Sequence, residues 1–222
     1  MAADSPPRSR ALHRAFECFA RAVFRFYARL EVAAGEPLPS EPFLLCSNHA
    51  SHLDGVALMV AAGLRFDAFR LLAAADYFDH RSLTGRLTRA MLNIVAVDRT
   101  SGGAIALRRT VAECRELVAT RQTRLIAFPE GTRGTTGGLL PFKRGPGFLA
   151  VALGIPIVPA YVDGTREALP KGSWILRPRR IRVRFGRAIR PAEWTALQGR
   201  KARCTYVTRE LERRITSLSP RA

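Results

Sequence analysis

The sequence predicts an α/β fold, in which a mostly parallel or mixed sheet is flanked by helices and preceded by an amphipathic N-terminal helix. Short apolar runs of strand length alternate with longer segments whose apolar residues recur at helical spacing. Consecutive strands joined through a helix form right-handed parallel crossovers, so this order favours a parallel arrangement. The 222 residues are enough for one sizeable domain with its own core.

The N-terminal segment has the pattern of a basic amphipathic helix. Between residues 11 and 30, aromatic and aliphatic residues recur at helical spacing. The arginines that lie on another side of this helix are Arg10, Arg14, Arg21 and Arg25. A basic helix rich in phenylalanine can lie in the interface of a membrane. The same aromatic stripe can instead pack on the core of the domain, and the sequence leaves both interpretations open.

Strands and helices alternate after a turn-rich linker at residues 35–42. Strands are predicted, in chain order, at residues 43–46, 69–73, 93–97, 124–128 and 155–162. Helices are predicted at residues 51–62, 104–121 and 146–154. In residues 180–185 arginines alternate with apolar residues, so this strand has one basic face in water. A charged helical tail is predicted at residues 194–218.

This order divides the chain into three segments. They are an N-terminal amphipathic helix at residues 1–36, an α/β domain at residues 37–190 and a C-terminal helical tail at residues 191–222.

The charge of the chain predicts an anionic partner. There are 36 basic and 18 acidic residues, which gives a net charge of +18. Such an excess suits a phospholipid surface, a phosphorylated ligand or a nucleic acid. Nucleic acid is not expected as a partner, because the sequence has no helix-turn-helix, zinc-finger or aromatic-plus-basic RNA signature. The apolar content of 47% excludes a disordered chain.

The cysteines and the hydropathy pattern predict where the protein works. The four cysteines are scattered and have no zinc or redox spacing, which favours reduced thiols inside the cell. No stretch approaches the run of about 20 apolar residues that spans a bilayer. We therefore expect a cytoplasmic protein that binds peripherally to the inner face of the membrane.

A histidine and an aspartate stand just after the first apolar run. His49 can act as a general base, and Asp54 can hold its tautomer. Positions five apart are about 140° apart on a regular helix, so the two side chains meet only if His49 lies in the loop before the helix. Ser51 as N-cap would allow this, although Asp54 can also be simply the partner of Ser51 in a capping box. No serine or cysteine nucleophile stands beside a base, which favours direct transfer without a covalent intermediate.

A second polar block follows another apolar run, at residues 128–133. Gly131 permits close approach to the backbone, Thr132 can form a hydrogen bond, and Arg133 can bind a phosphate through two parallel hydrogen bonds. Two further cations on loops are Arg99 and Lys143. Each of these groups alone is typical of a turn or a solvated charge, whereas together at one sheet edge they predict a phosphate site.

The order of these blocks resembles the glycerolipid acyltransferase family, the lysophosphatidate-acyltransferase-like enzymes. Residues 48–54 are similar to the family's HX4D block, a histidine and an aspartate separated by four residues, and residues 128–133 match its third block. The other similar blocks are residues 97–99, 142–145 and 155–159. The resemblance extends over residues 42–190. His52 stands where an aromatic residue is common, and residues 73–76 lack a lysine often found before the second block.

The resemblance implies an O-acyltransferase of phospholipid biosynthesis, similar to 1-acylglycerol-3-phosphate acyltransferase. It would move an acyl group from acyl-CoA or acyl carrier protein to a lysophospholipid hydroxyl, converting 1-acylglycerol-3-phosphate to phosphatidate at an anionic membrane surface. His49 is implied as the base and Asp54 as its partner. The implied substrate-binding residues are Arg99, Glu130, Gly131, Thr132, Arg133 and the basic-loop residue Lys143. This chemistry requires no metal, and the acyl donor is a co-substrate rather than a bound cofactor.

Two alternatives stay open. The acceptor can be another lysolipid or an aminolipid. A basic nucleic-acid- or membrane-binding protein without catalysis would also account for the charge, although a module that only binds needs no base at His49.

Overall fold

The computed structural model describes residues 7–33, 35–74, 91–97, 103–120, 122–134, 138–170, 172–173 and 175–220. Within these residues a seven-stranded sheet forms the centre of the fold. Its strands are β1 (Glu31–Val32), β2 (Leu44–Ser47), β3 (Phe69–Ala74), β4 (Ile94–Val97), β5 (Arg124–Ala127), β6 (Ile157–Asp163) and β7 (Arg182–Phe185). The helices are α1 (Pro7–Ala22), α2 (Leu53–Ala61), α3 (Gly103–Ala119), α4 (Gly145–Leu153), α5 (Thr165–Ala168), α6 (Ala192–Thr195) and α7 (Arg200–Ser217). A π-helical turn at Val23–Tyr27 follows α1, and a 3₁₀ turn at Phe66–Ala68 precedes β3.

The sheet is mixed but mostly parallel, which confirms the predicted fold class. The strand order is β1-β7-β6-β2-β5-β3-β4, and β6 with β7 is the one antiparallel pair among the described strands. The short strand β2 lies at the centre, where Leu45 is opposite both Ile126 of β5 and Val158 of β6. All four residues of β2 are buried. This fits a largely apolar strand in a parallel sheet, because helices cover both faces of such a sheet.

Each face of the sheet packs on a different set of helices. Leu45 belongs to a core formed with α1 and α2, whereas Leu44 and Cys46 belong to a core formed with α3, α4 and α7. Successive side chains of a strand point to opposite faces, so one four-residue strand supplies both cores. β2 is therefore fixed from both sides, and the loop that follows it starts from a rigid support.

Several element boundaries differ from the predictions; for example, the strand predicted at residues 180–185 begins at Arg182. Helix α2 begins at Leu53, two residues later than predicted, because Ser51 and His52 form the turn that leaves β2. The strand predicted from residue 155 begins at Ile157. The predicted tail is helical but consists of two helices, α6 and α7. They are separated at Gly199, whose φ of 81° is incompatible with helical geometry.

The N-terminal segment has a buried side and an exposed side. Ala20, Phe24 and Ala28 are buried in the core, whereas Phe19 is 65% exposed and Phe26 is 76% exposed. Part of the aromatic stripe therefore packs on the core, and other apolar side chains face outward. Strand β1, which follows, pairs with β7, so the segment assigned to residues 1–36 also contributes to the sheet. None of the described helices is long and apolar enough to cross a membrane.

Candidate active site

Three neighbouring strands bring the polar blocks to one edge of the sheet. β2 lies between β5 and β6 and is parallel to both, so the carboxyl ends of all three strands meet at the same edge. Loops at this edge are where open α/β sheets bind ligands. The loop after β2 carries His49, the loop after β5 carries Glu130, and the loop after β6 carries Thr165.

His49 and Asp54 form a hydrogen-bonded pair. The His49 Nδ1 atom is 2.9 Å from the Asp54 Oδ2 atom, and the Asp54 side chain has no exposed surface. The two side chains meet because His49 lies in the loop, four residues before helix α2 begins. With Nδ1 protonated and donating to the carboxylate, Nε2 is the nitrogen with a lone pair. The His49 side chain is 20% exposed, so a ligand can reach it.

The Asp54 carboxylate also organises the turn that carries the histidine. Its Oδ2 atom accepts hydrogen bonds from the backbone N–H groups of Ala50 at 2.7 Å and Ser51 at 2.8 Å. Its Oδ1 atom accepts a hydrogen bond from the Thr165 hydroxyl at 2.5 Å. The same Oδ2 atom therefore caps the start of α2 and orients the imidazole of His49. Both roles predicted for Asp54 apply together.

Neighbouring residues hold both the backbone and the ring of His49 in place. Its N–H donates to Glu130 Oε1 at 2.7 Å, and its carbonyl accepts from the N–H of Gly134 at 2.8 Å. Its ring stacks on Phe128, with ring centroids 4.0 Å apart and an interplanar angle of 12°. The side chain of the preceding Asn48 bonds both the N–H and the carbonyl of Val162 in β6. The imidazole is therefore held in place before any ligand binds.

Glu130 is buried and supports the loop through hydrogen bonds, instead of lying at the protein surface. It is 3% exposed, and its second oxygen accepts from the N–H of Leu140 at 2.8 Å. Burial raises the pKa of the Glu130 carboxyl, while its two backbone hydrogen bonds act in the opposite direction. Each oxygen is occupied by a backbone donor, so the side chain links the loops after β2 and β5.

Two of the cations predicted to bind a phosphate, Arg133 and Lys143, lie at the turn after β5. Gly131 has a φ of 70°, and a side chain there would collide with Lys143, whose aliphatic stem and ammonium lie about 2.8 Å from the Cβ position. Lys143 and Thr132 are exposed, and Arg133 is half-buried. Burial and the positive charge of Arg133 lower the pKa of His52. Arg133 therefore lies close enough to the His49 turn to act on it electrostatically.

One predicted site residue cannot be placed. Arg99 lies outside the described residues, and the position of its guanidinium is an expectation from the sequence alone. The described residues also contain no group of three or more histidine, cysteine, aspartate or glutamate side chains that could hold a metal ion.

Three hydroxyl and thiol groups close to His49 in the sequence are already hydrogen-bonded or buried. Ser47 Oγ donates to the carbonyl of Asn48, and Ser51 Oγ donates to the carbonyl of Leu169. Cys46 has no exposed surface, and burial raises the pKa of its thiol well above the usual range. None of these groups is placed as an activated nucleophile.

The site includes residues that the sequence analysis did not single out. Thr165 is fully buried and lies 111 positions from its partner Asp54. Its hydroxyl can reach the carboxylate because Gly164, with a φ of 84°, makes a close turn against the carbonyl of Arg180. The signal available in the sequence was a glycine and a hydroxyl directly after the apolar run of β6. A cavity of about 50 Å³ lies beside His49 and is lined in part by Glu130 and Thr165.

Comparison with known proteins identifies the family of this chain. The family model described as Acyltransferase matches residues 29–163, which are more than half of the chain. A 1-acyl-sn-glycerol-3-phosphate acyltransferase of Limnanthes douglasii is 33% identical over 149 residues, 67% of this chain and 50% of that protein. The human 1-acyl-sn-glycerol-3-phosphate acyltransferase alpha is 35% identical over 142 residues, 63% of this chain and 47% of that protein. The chain thus spans about half the length of these relatives.

A solved structure shares the fold. The crystal structure of the 1-acyl-sn-glycerophosphate (LPA) acyltransferase PlsC from Thermotoga maritima superposes with a TM-score of 0.64 at 24% sequence identity, covering 96% of this chain and 83% of that one. Residues 29–163, which the family model matches, contain β2, β5 and β6 with the His49–Asp54 pair at their common edge. On this family match, the chain belongs to the Acyltransferase family.

Proposed function

We propose that this protein transfers an acyl group from the thioester of acyl-CoA or acyl carrier protein to the free hydroxyl of 1-acylglycerol-3-phosphate, producing phosphatidate. The observation that carries the proposal is the contact between His49 Nδ1 and the buried carboxylate of Asp54 at the ligand-binding edge of the sheet. The relatives that share this region are named for that reaction.

In this mechanism His49 moves one proton twice. Its Nε2 atom takes the proton of the acceptor hydroxyl while the hydroxyl oxygen forms a bond to the thioester carbonyl carbon. The tetrahedral intermediate then expels the sulfur, and the imidazolium returns the proton to the leaving thiolate. The products are an ester and a free thiol. Asp54 stabilises the imidazolium that exists between the two steps, and its hydrogen bond keeps Nε2 as the basic nitrogen.

The acceptor phosphate binds to the cations around the turn after β5. A phosphate monoester carries about −1.5 to −2 charges at neutral pH and accepts several hydrogen bonds. Arg133 offers a planar fork of donors, Lys143 offers a point charge beside Gly131, and Thr132 offers a hydroxyl. Arg99 contributes a further guanidinium in this proposal. Glu130 keeps the turn in place through its two backbone hydrogen bonds and does not itself contact the phosphate.

The transfer is direct in this proposal. An acyl-enzyme would need a hydroxyl or thiol that His49 can activate. The hydroxyls of Ser47 and Ser51 donate to backbone carbonyls, and the Cys46 thiol is buried with a raised pKa. The reaction therefore proceeds through a complex of both substrates, with no metal and no cofactor other than the acyl donor.

The proposed substrate and the charge of the chain support binding at a membrane surface. We propose peripheral binding to the anionic cytoplasmic surface, with α1 and the turn after it lying in the interface. The exposed rings of Phe19 and Phe26 supply apolar surface, and the excess of arginine supplies attraction to anionic lipid. Nucleic acid is not part of this proposal.

The test is to incubate the purified protein with acyl-CoA or acyl carrier protein and a panel of acceptors, following thiol release and identifying the product by mass spectrometry. Lysophosphatidate should support turnover with either or both donors, whereas lysophosphatidylcholine, which lacks a phosphate monoester, should be at least about tenfold poorer. Equal use of both acceptors would contradict the proposed phosphate site. Turnover only with an aminolipid acceptor would replace lysophosphatidate as the substrate.

A further inference from the structure

A second cavity, separate from the one beside His49, lies between the turn after α1 and the segment that leads into β7. Its volume is about 300 Å³, and it is lined by Phe26, Tyr27, Arg29, Pro178, Arg179 and Arg180. The steps proposed for acyl transfer use none of these residues.

This cavity lies at the same edge of the sheet as the catalytic pair. β7 runs antiparallel to β6, and Arg182 at its start is opposite Asp163 at the end of β6. The carbonyl of Arg180 touches Gly164, and the N–H of Arg177 donates to the carbonyl of Ala168 at the end of α5. Helix α5, which carries Thr165, therefore stands between the cavity and the His49 loop. A molecule held in the cavity would orient this edge of the protein.

The walls of the cavity contain uncommon backbone conformations, and hydrogen bonds hold these conformations in place. The turn at Val23–Tyr27 is π-helical, and Arg29 has a φ of 43°, in the left-handed region that residues other than glycine rarely adopt. The Tyr27 hydroxyl donates to the carbonyl of Leu176, and the N–H of Ile181 donates to the carbonyl of Ala28. Both walls are thus fastened to each other. Uncommon backbone that the surrounding structure maintains is often found at binding sites.

Positive charge exceeds negative charge around the cavity. Arg180 and Arg182 share one carboxylate, Glu31, at 3.1 Å and 2.9 Å. Within the described part of the chain, no ion pair or side-chain hydrogen bond engages Arg29 or Arg179. The residues that line the cavity therefore include three arginines and no acidic side chain. The surplus favours an anion, and a planar fork of donors is suited to phosphate oxygens.

Two large apolar side chains in or near the segments that line the cavity are exposed to solvent. Phe26 is 76% exposed, and Ile175, which precedes the lining segment, is 74% exposed. Exposed aromatic and branched aliphatic side chains beside arginines match a membrane interface, where acyl chains meet charged headgroups. A soluble phosphate ester would satisfy the arginines but would leave these side chains in water.

We propose that this cavity binds the headgroup phosphate of an anionic phospholipid in the bilayer. The arginines Arg29, Arg179 and Arg180 contact the phosphate, and Phe26 and Ile175 enter the interface beside its acyl chains. The bound lipid turns the carboxyl edge of the sheet, with His49, towards the membrane from which the acceptor comes. This inference rests on the membrane association proposed above, but it does not depend on the identity of the acyl acceptor.

The test compares two double variants that each remove two positive charges. Arg29→Gln/Arg179→Gln alters the cavity, and Lys201→Gln/Arg209→Gln alters exposed positions of α7, which packs on the other face of the sheet. Sedimentation is measured with vesicles of phosphatidylglycerol and phosphatidylcholine at near-physiological salt, and melting curves verify the fold. Two cations near an anionic surface account for about 30-fold in vesicle affinity. We expect a loss of that size for the cavity variant and less than about threefold for the α7 variant.

Two outcomes would overturn the inference. Equal losses for the two double variants would mean that vesicles respond to net charge and not to this cavity. Unchanged vesicle binding with a raised KM for acyl-CoA would assign the arginines to the phosphates of the donor.

A separate measurement tests the acyl-transfer proposal independently of vesicle binding. It follows turnover of a dispersed short-chain lysophosphatidate in the absence of vesicles. The cavity variant should retain this turnover. Absence of turnover in the unmodified protein would refute the enzyme function, but the result of the vesicle experiment would still be valid.

Discussion

Replacement of Asp54 by asparagine separates the charge of this side chain from its size. In the native site Oδ2 accepts three hydrogen bonds, from His49, Ala50 and Ser51, and Oδ1 accepts one from Thr165. The amide oxygen of asparagine can keep the two backbone bonds if it takes the place of Oδ2. The amide NH₂ group then faces the threonine hydroxyl, which can rotate and accept.

The expected losses differ for stability and for rate. Hydrogen bonds to a charged acceptor contribute about 1.5–3 kcal/mol and neutral ones about 0.5–1.5 kcal/mol, so each retained bond weakens by about 1 kcal/mol. Relief of the cost of burying a charge opposes this, and we expect a net destabilisation of about 1–3 kcal/mol. The imidazolium that forms during transfer loses its carboxylate, and kcat should fall by about 10²–10⁴-fold. The same change in a serine-protease triad lowers kcat by about 10⁴-fold.

The assay is thiol release at saturating donor and acceptor, with a melting curve of each variant. Asp67→Asn is the matched control, because it makes the same change on an exposed residue before β3, at the edge of the sheet opposite His49. That control should stay within about threefold of wild type in kcat. A well-folded Asp54→Asn protein with nearly normal turnover would refute the assignment of Asp54 as the partner of His49. Equal losses in both variants would indicate a long-range effect of charge.

Three further predictions concern single contacts. Thr165→Val leaves one oxygen of Asp54 without its donor and should cost about 1–3 kcal/mol of stability together with a lower kcat, whereas Thr165→Ser should restore both in melting and turnover measurements. Arg133→Lys should raise the KM of the acceptor more than that of the donor, because an ammonium cannot form two parallel hydrogen bonds with a phosphate. Hydrogen bonding to Arg213 lowers the pKa of Glu210 from 4.5 to about 2, so this carboxylate stabilises the fold above about pH 4.5 and loses that effect as the pH falls towards 2. Melting temperatures of Glu210→Gln should accordingly lie below wild type at pH 6 and converge with it near pH 2.

The strands and the contact between His49 and Asp54 could be predicted from the sequence for local reasons. β2, β5 and β6 are short apolar runs bounded by polar residues, and a strand buried on both faces must have that composition. The meeting of His49 and Asp54 depended on one local condition, that the histidine precede the helix. The turn at Ser51 and His52 satisfies it.

Features that depend on distant contacts could not be predicted in the same way. β1 has two residues and exists only because it pairs with β7, and the reversed direction of β7 follows from its packing beside β6. The bond from Thr165 to Asp54 spans 111 positions. The family resemblance implied that Glu130 binds substrate, whereas its burial and its two backbone donors became visible only in the fold.

The most direct test of the account is single-turnover thiol release from an acyl thioester, with lysophosphatidate as acceptor, in His49→Gln and His52→Gln proteins that are both shown to be folded. The second variant removes an exposed imidazole three positions away in the same turn. If His49 is the base, its variant should lose about 10²–10⁴-fold in rate, and the His52 variant should stay within about tenfold of wild type. A folded His49→Gln protein that releases thiol at a nearly normal rate would contradict the mechanism.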